Sequence, residues 1–168
     1  MKRLTMVMLA VALLVGISMT QADEAKWFDM EHCAMCKPMM DTPGLMESMT
    51  CNQYNISNGV LSVSTVPAGK MDAFTKMCDA MDATGAKLMA GESMELCGSC
   101  SALSAMFAKG AHFEKVMTSD GDIMLFTADT PELVEGLHDW ANKNAEEMAK
   151  MMSSMGEEKG EHEGHGHE

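Results

Sequence analysis

The chain has 168 residues, with 25 acidic against 12 basic side chains and a formal charge of −13 at pH 7. That balance excludes a nucleic-acid-binding face, which needs clustered lysine and arginine, and it disfavours anionic lipid for the same reason. Six cysteines and 22 methionines make sulfur the compositional anomaly.

Residues 1–22 have the pattern of a secretory signal peptide. Lys2 and Arg3 precede an apolar run over 4–17 that only Thr5 and Gly16 interrupt, and Thr20-Gln21-Ala22 supplies small residues for cleavage. The run is too short for a stable membrane span. The expectation is an exported, periplasmic or secreted protein with Asp23 as its mature start and no membrane contact after cleavage. Removal of Lys2 and Arg3 would leave no arginine in the chain.

A duplication follows, with residues 23–90 as the first repeat and 91–155 as the second. Each carries Met-Glu-X-Cys-X-X-Cys, first at Met30-Glu31-His32-Cys33-Ala34-Met35-Cys36 and then at Met94-Glu95-Leu96-Cys97-Gly98-Ser99-Cys100. After the first pair a short helix is bounded by Pro38 and Pro43-Gly44. Cys51 opens a strand, Asn58-Gly59 turns a hairpin, and Leu61, Val63 and Thr65 alternate as a half-buried strand should. A helix then places Met71, Phe74, Cys78 and Met81 together, and 87–89 supplies a candidate fourth strand. After the second pair, 102–109 reads as a helix with Leu103, Met106 and Phe107 inward, ended by Gly110. Asp120-Gly121 turns the second hairpin, and Ile123, Leu125 and Thr127 hold the matching strand positions. Thr130-Pro131 starts a helix whose face carries Leu133, Leu137, Trp140 and the polar exception Asn144. It runs on through Met148, Met151, Met152 and Met155. Residues 156–168, rich in His, Glu and Gly, read as a disordered tail. The fold class expected is α+β, as two ferredoxin-like βαββα-type repeats, separate or fused into one sheet.

Two thiols two residues apart can both face one site, so the spacing serves metal centres and redox centres alike. In an oxidising compartment it also forms local disulfides. For the oxidised chain the favoured pairing is two local Cys-X-X-Cys bridges plus Cys51–Cys78, with burial of Cys51 and Cys78 as reduced thiols the alternative. Thioethers are soft ligands, which makes Met35, Met39 and Met40 candidate assistants at the first pair. Met71, Met77 and Met81 are assigned to packing. His32 and Lys37 flank the first pair and would favour thiolate when charged. In the tail, His162, His165 and His167 can collect Cu(II), Zn(II) or Ni(II) through neutral imidazoles. No nucleophile–base pattern or phosphate loop points to a hydrolase.

Cys97-Gly98-Ser99-Cys100 opening a helix, the Asp120-Gly121 hairpin and the helix at Pro131 together resemble the heavy-metal-associated domain of copper chaperones and metal-pumping ATPases. The likeness spans about residues 91–145, and more loosely 26–90. It implies Cu(I) or Ag(I) held linearly between two sulfurs of one pair. One position departs from that family: Met30 and Met94 stand three residues before the first cysteine rather than two, so the family's buried methionine does not transfer to them. The reading is therefore a soft-metal binding or transfer protein, not an enzyme. Its sites are Cys33 with Cys36 and, separately, Cys97 with Cys100. Copper is the first choice of ion, zinc or silver the alternatives, and a metal donor or acceptor protein the implied partner. The rivals are a periplasmic thiol–disulfide oxidoreductase, with Cys33 or Cys97 attacking, and a disulfide-stapled interaction module.

Overall fold

The computed structural model describes residues 26–160. The signal-like segment and the tail histidines lie outside the described residues. In chain order the elements are α1 (Lys37–Met40), β1 (Thr50–Ile56), β2 (Gly59–Thr65), α2 (Met71–Met89), α3 (Gly98–Phe107), β3 (His112–Met117), β4 (Gly121–Thr127) and α4 (Pro131–Gly160). Among the described residues no helix is long and apolar enough to cross a membrane.

Both Gly-containing turns form hairpins as their sequences demand, and the hairpins join edge to edge. The result is one four-stranded antiparallel sheet in the order β1-β2-β4-β3. The central ladder has an internal two-fold character. Gly59 pairs with Thr127 and Thr65 with Gly121, symmetrically about the Ser62–Met124 pair. The hydrogen bonds just outside this ladder match too, with Val66 N–H donating to Asp120 O and Ala128 N–H to Asn58 O. At both ends of this ladder only glycine fits. A Cβ on Gly59 would lie 1.9 Å from Phe126 O, and one on Gly121 would lie 1.9 Å from Ser64 O. The duplication seen in the sequence thus closes on itself across the middle of a single sheet.

The helices cover one face of that sheet. α4 packs on β1 and β2, and the His138 ring sits 3.0 Å from both Ile56 O and Gly59 O. Since both partners are carbonyls, Nε2 carries the proton and donates. α2 lies over the other hairpin, where Lys115 of β3 pairs with Asp82. Each long helix therefore rests on the hairpin of the opposite repeat. One core gathers Val60, Met106, Phe126, Leu137, Trp140 and Ala141, and another gathers Leu45, Val66, Phe74, Met77 and Cys78. The apolar faces expected of α2 and α4 are the faces found.

Three expectations are corrected, and a fourth holds only at the level of fold class. Residues 87–89 are the last turn of α2, not a strand; the helical periodicity simply continues to Ala90 before Gly91 turns the chain. The described part of each half is helix, strand, strand, helix, without the outer strands of a ferredoxin-like unit, so the α+β class holds and the two-unit architecture does not follow. Strand alternation is present with its faces exchanged: Val60, Ser62 and Ser64 lie under the helices, while Leu61, Val63 and Thr65 are half-buried on the open side. Small serines let the covering helices approach closely. Finally, α4 continues to Gly160, so 156–160 is helical rather than disordered.

Candidate metal centre

The two thiol loops meet. Cys33, Cys36, Cys97 and Cys100 place their sulfurs within 4.8 Å of one another. Cys36 Sγ lies 3.8 Å from Cys97 Sγ and 3.8 Å from Cys100 Sγ. Cys33, Cys36 and Cys97 are buried and Cys100 is partly exposed. The pairs read separately in the sequence are one cluster in space.

Local folding explains the convergence. The first loop is a tight turn in which the Cys33 carbonyl accepts from Cys36 N–H and Lys37 N–H at 3.0 and 2.9 Å. The four-residue α1 follows, with Pro38 in its first turn where a missing N–H costs nothing. In the second loop Cys97 is the extended N-cap residue of α3. Its position directs the side chain toward the free N–H groups of the first turn. Backbone bonds then lace the loops together: Ala34 N–H donates to Glu95 O at 2.9 Å, Gly98 N–H to Lys26 O and Ser99 N–H to Trp27 O, both at 3.0 Å.

The metal-free cluster pushes the thiols of Cys97 and Cys100 in opposite directions. Contacts from the Cys100 and Cys36 thiols, aided by backbone N–H groups of Cys100 and Asp29, hold Cys97 well below the ordinary thiol range. Cys100 is pushed far up, because its proton is shared with Cys36 and Cys97 and because burial opposes a second charge. Outside the cluster, His32 hydrogen-bonds Asp29 at 3.0 Å, and that contact raises its pKa above 6.5.

The two 3.8 Å sulfur separations have the dimensions of a four-thiolate site. Tetrahedral zinc–sulfur bonds of about 2.3 Å separate neighbouring sulfurs by about 3.8 Å. Four sulfurs fill a tetrahedral shell with no open position.

The remaining candidates fall in different places. Met35 and Met39 pack against the cysteines, as does Met30. Met39 also touches the Leu45–Phe74 core, and Met40 points outward at 55% exposure. His162, His165 and His167 lie outside the described residues. All six thiols are free, so the local and Cys51–Cys78 bridges of the oxidised reading are absent. Cys51 is exposed at the sheet edge with Ser62 Oγ 3.5 Å away. Cys78 is a buried residue of α2 itself, and burial together with the Asp122 charge pushes it up to about 11.

Sequence reasoning missed a set of residues behind the second loop. Ser99 Oγ donates to Asn144 Oδ1 at 2.8 Å and accepts from Trp140 Nε1 at 3.0 Å. Trp27 Nε1 donates to the same Asn144 oxygen at 2.9 Å, and Asn144 Nδ2 donates to Gln53 Oε1 at 3.1 Å. The signal that pointed there was Asn144, a polar residue on an otherwise apolar helix face.

No protein-family model, curated protein or solved structure matches this chain.

Proposed function

We propose that the protein binds a single metal ion in a closed four-thiolate centre built jointly by its two repeats. The observation that carries this reading is the convergence of Cys33, Cys36, Cys97 and Cys100 within 4.8 Å. A metal-free buried cluster of four thiols gains little from its own weak S–H contacts, whereas an ion would satisfy all four at once. Zinc is the preferred occupant on two grounds. Two of the sulfur separations, both 3.8 Å, match a tetrahedral shell, and a divalent ion offsets more of the charge of four thiolates than a monovalent one. A filled shell serves holding and transfer rather than catalysis, which needs an open position. The exported setting and the histidine tail fit such a role, with the tail as a collecting arm.

Copper(I) or silver(I) is the second reading, favoured by the thioethers of Met30, Met35 and Met39 against the cluster. The resemblance to heavy-metal-associated domains agrees with soft-metal chemistry, although that family uses two sulfurs of one loop and four converge here. Titration of the reduced chain with Co(II) under anaerobic conditions tests the proposal. Expected are the strong visible bands and thiolate charge transfer of tetrahedral sulfur coordination, complete at one equivalent. Weak bands of octahedral Co(II), or no thiolate charge transfer, would refute it. Catalysed insulin reduction by the metal-free chain would favour the oxidoreductase instead.

A further inference from the structure

The two thiol pairs that form the cluster are held in different ways. Cys97 and Cys100 open the ten-residue α3. Ser99 between them is buried and anchored by Trp27, Trp140 and Asn144, and Asn144 is tied in turn to Gln53 of β1. The second loop is thus fixed from the segment before the first loop, from α4 and from the far edge of the sheet. Cys33 and Cys36 enclose Ala34 and Met35, which have no polar side chains to anchor. Two backbone bonds leave their turn, Cys33 N–H to Asp29 O and Ala34 N–H to Glu95 O, with no side-chain anchor beside them. Their helix has four residues, and the neighbours are adaptable thioethers.

Accessibility adds direction. Cys33, Cys36 and Cys97 are 0%, 4% and 2% exposed, and the partly exposed member, Cys100, belongs to the anchored pair.

We propose, resting on the metal-centre reading above, that the two pairs act in order. Cys97 and Cys100 form a preset jaw that takes the ion first at the accessible Cys100 side. The Cys33–Cys36 turn is the movable clasp that closes over the ion and opens to release it. Each sulfur binds as a thiolate, so each thiol that engages gives one proton to solvent; for zinc no electron moves. Ser99 and Asn144 are positioning residues: they touch no ion and hold the jaw in its binding geometry.

The full-length reduced chain, titrated anaerobically with Cd(II), tests this order through thiolate-to-metal charge transfer, which the tail histidines do not produce. The C33S/C36S variant is expected to retain one thiolate-bound Cd(II) at least tenfold more tightly than C97S/C100S. Equal affinities, or the reverse order, overturn the proposal. Ser99→Ala in the C33S/C36S background should weaken binding by about 10-fold, within the range for outer-shell partners. Ser99→Thr should restore it, and Ser99→Ala should leave C97S/C100S unmoved. A uniform loss in both backgrounds would mean that Ser99 is merely structural and would overturn its positioning role. The wild-type chain gives a check free of folding defects. Limited alkylation of the Cd(II)-loaded protein should label Cys33 and Cys36 before the equally buried Cys97, and the opposite order overturns the clasp. Failure of the wild-type chain to bind Cd(II) through thiolate would instead refute the metal centre itself.

Discussion

Gly121→Ala tests the joining of the two repeats into one sheet. The new Cβ would stand 1.9 Å from Ser64 O, 2.7 Å from Ser64 C and 2.9 Å from Thr65 Cα, all backbone atoms of the neighbouring central strand. No rotamer relieves that overlap, so β2 and β4 must separate at this end. Two ladder-end bonds are exposed to the shift, Val66 N–H to Asp120 O and Thr118 N–H to Gly121 O. Forcing a side chain onto this backbone costs about 1–3 kcal/mol, and each lost hydrogen bond costs about 1 kcal/mol. The sum is about 3 kcal/mol or more, a drop in melting temperature of roughly 10 °C for a domain of this size. Gly59→Ala meets the same obstruction at Phe126 O and should cost a similar amount. Gly85→Ala is the control of opposite sign. It lies inside α2, and its Cβ would meet Met35 Cε at an ordinary 3.9 Å, so the helix should gain about 0.5–1 kcal/mol. Urea unfolding followed by far-ultraviolet circular dichroism, at one buffered zinc concentration, measures all three. A Gly121→Ala chain within 1 kcal/mol of wild type would refute the fused central ladder.

Leu137→Ala should destabilise by about 2–5 kcal/mol in the same assay, because Leu137 is fully buried between α4 and the sheet. Asp122 is 2% exposed, its Oδ1 has no hydrogen-bond partner, and burial raises its pKa above 3.8. The folded state therefore binds this proton more tightly than the unfolded state. Its contribution is fully present below pH 3.8 and is lost as pH rises through the folded value. Asp122→Asn should accordingly be more stable than wild type at neutral pH, with the advantage shrinking to nothing in acid; a gain independent of pH would contradict it. The His32 imidazole, titrated by nuclear magnetic resonance, should show a pKa above 6.5 that falls in Asp29→Asn, since the Asp29 hydrogen bond is the leading cause of the shift.

Much of the fold was legible because it rests on short-range rules. Asn58-Gly59 and Asp120-Gly121 demanded turns, Thr130-Pro131 demanded a helix start, and the periodicities of Phe74, Cys78, Leu137 and Trp140 named the buried faces. What was not legible depended on how distant elements meet. Leu61 and Val63 look like core residues by alternation, yet the side of a sheet that helices cover is decided by where α2 and α4 return. Lys87, Leu88 and Met89 suit a strand or a helix end, and only continuity with α2 decides between them. The same limit applied to the cysteines. Each Cys-X-X-Cys pair announced a site, while their union depended on the β2–β4 pairing and on loop bonds such as Ala34 to Glu95, which no spacing encodes. Asn144 stood out as polar on an apolar face, but its partners Ser99, Trp27 and Gln53 come from three other parts of the chain.

The shared thiolate centre is tested most directly by X-ray absorption at the zinc edge on the full-length reduced chain loaded with one equivalent of zinc. The expected first shell is four sulfurs at about 2.3 Å. A shell of two sulfurs completed by nitrogen or oxygen would contradict the convergence of Cys33, Cys36, Cys97 and Cys100 on one ion.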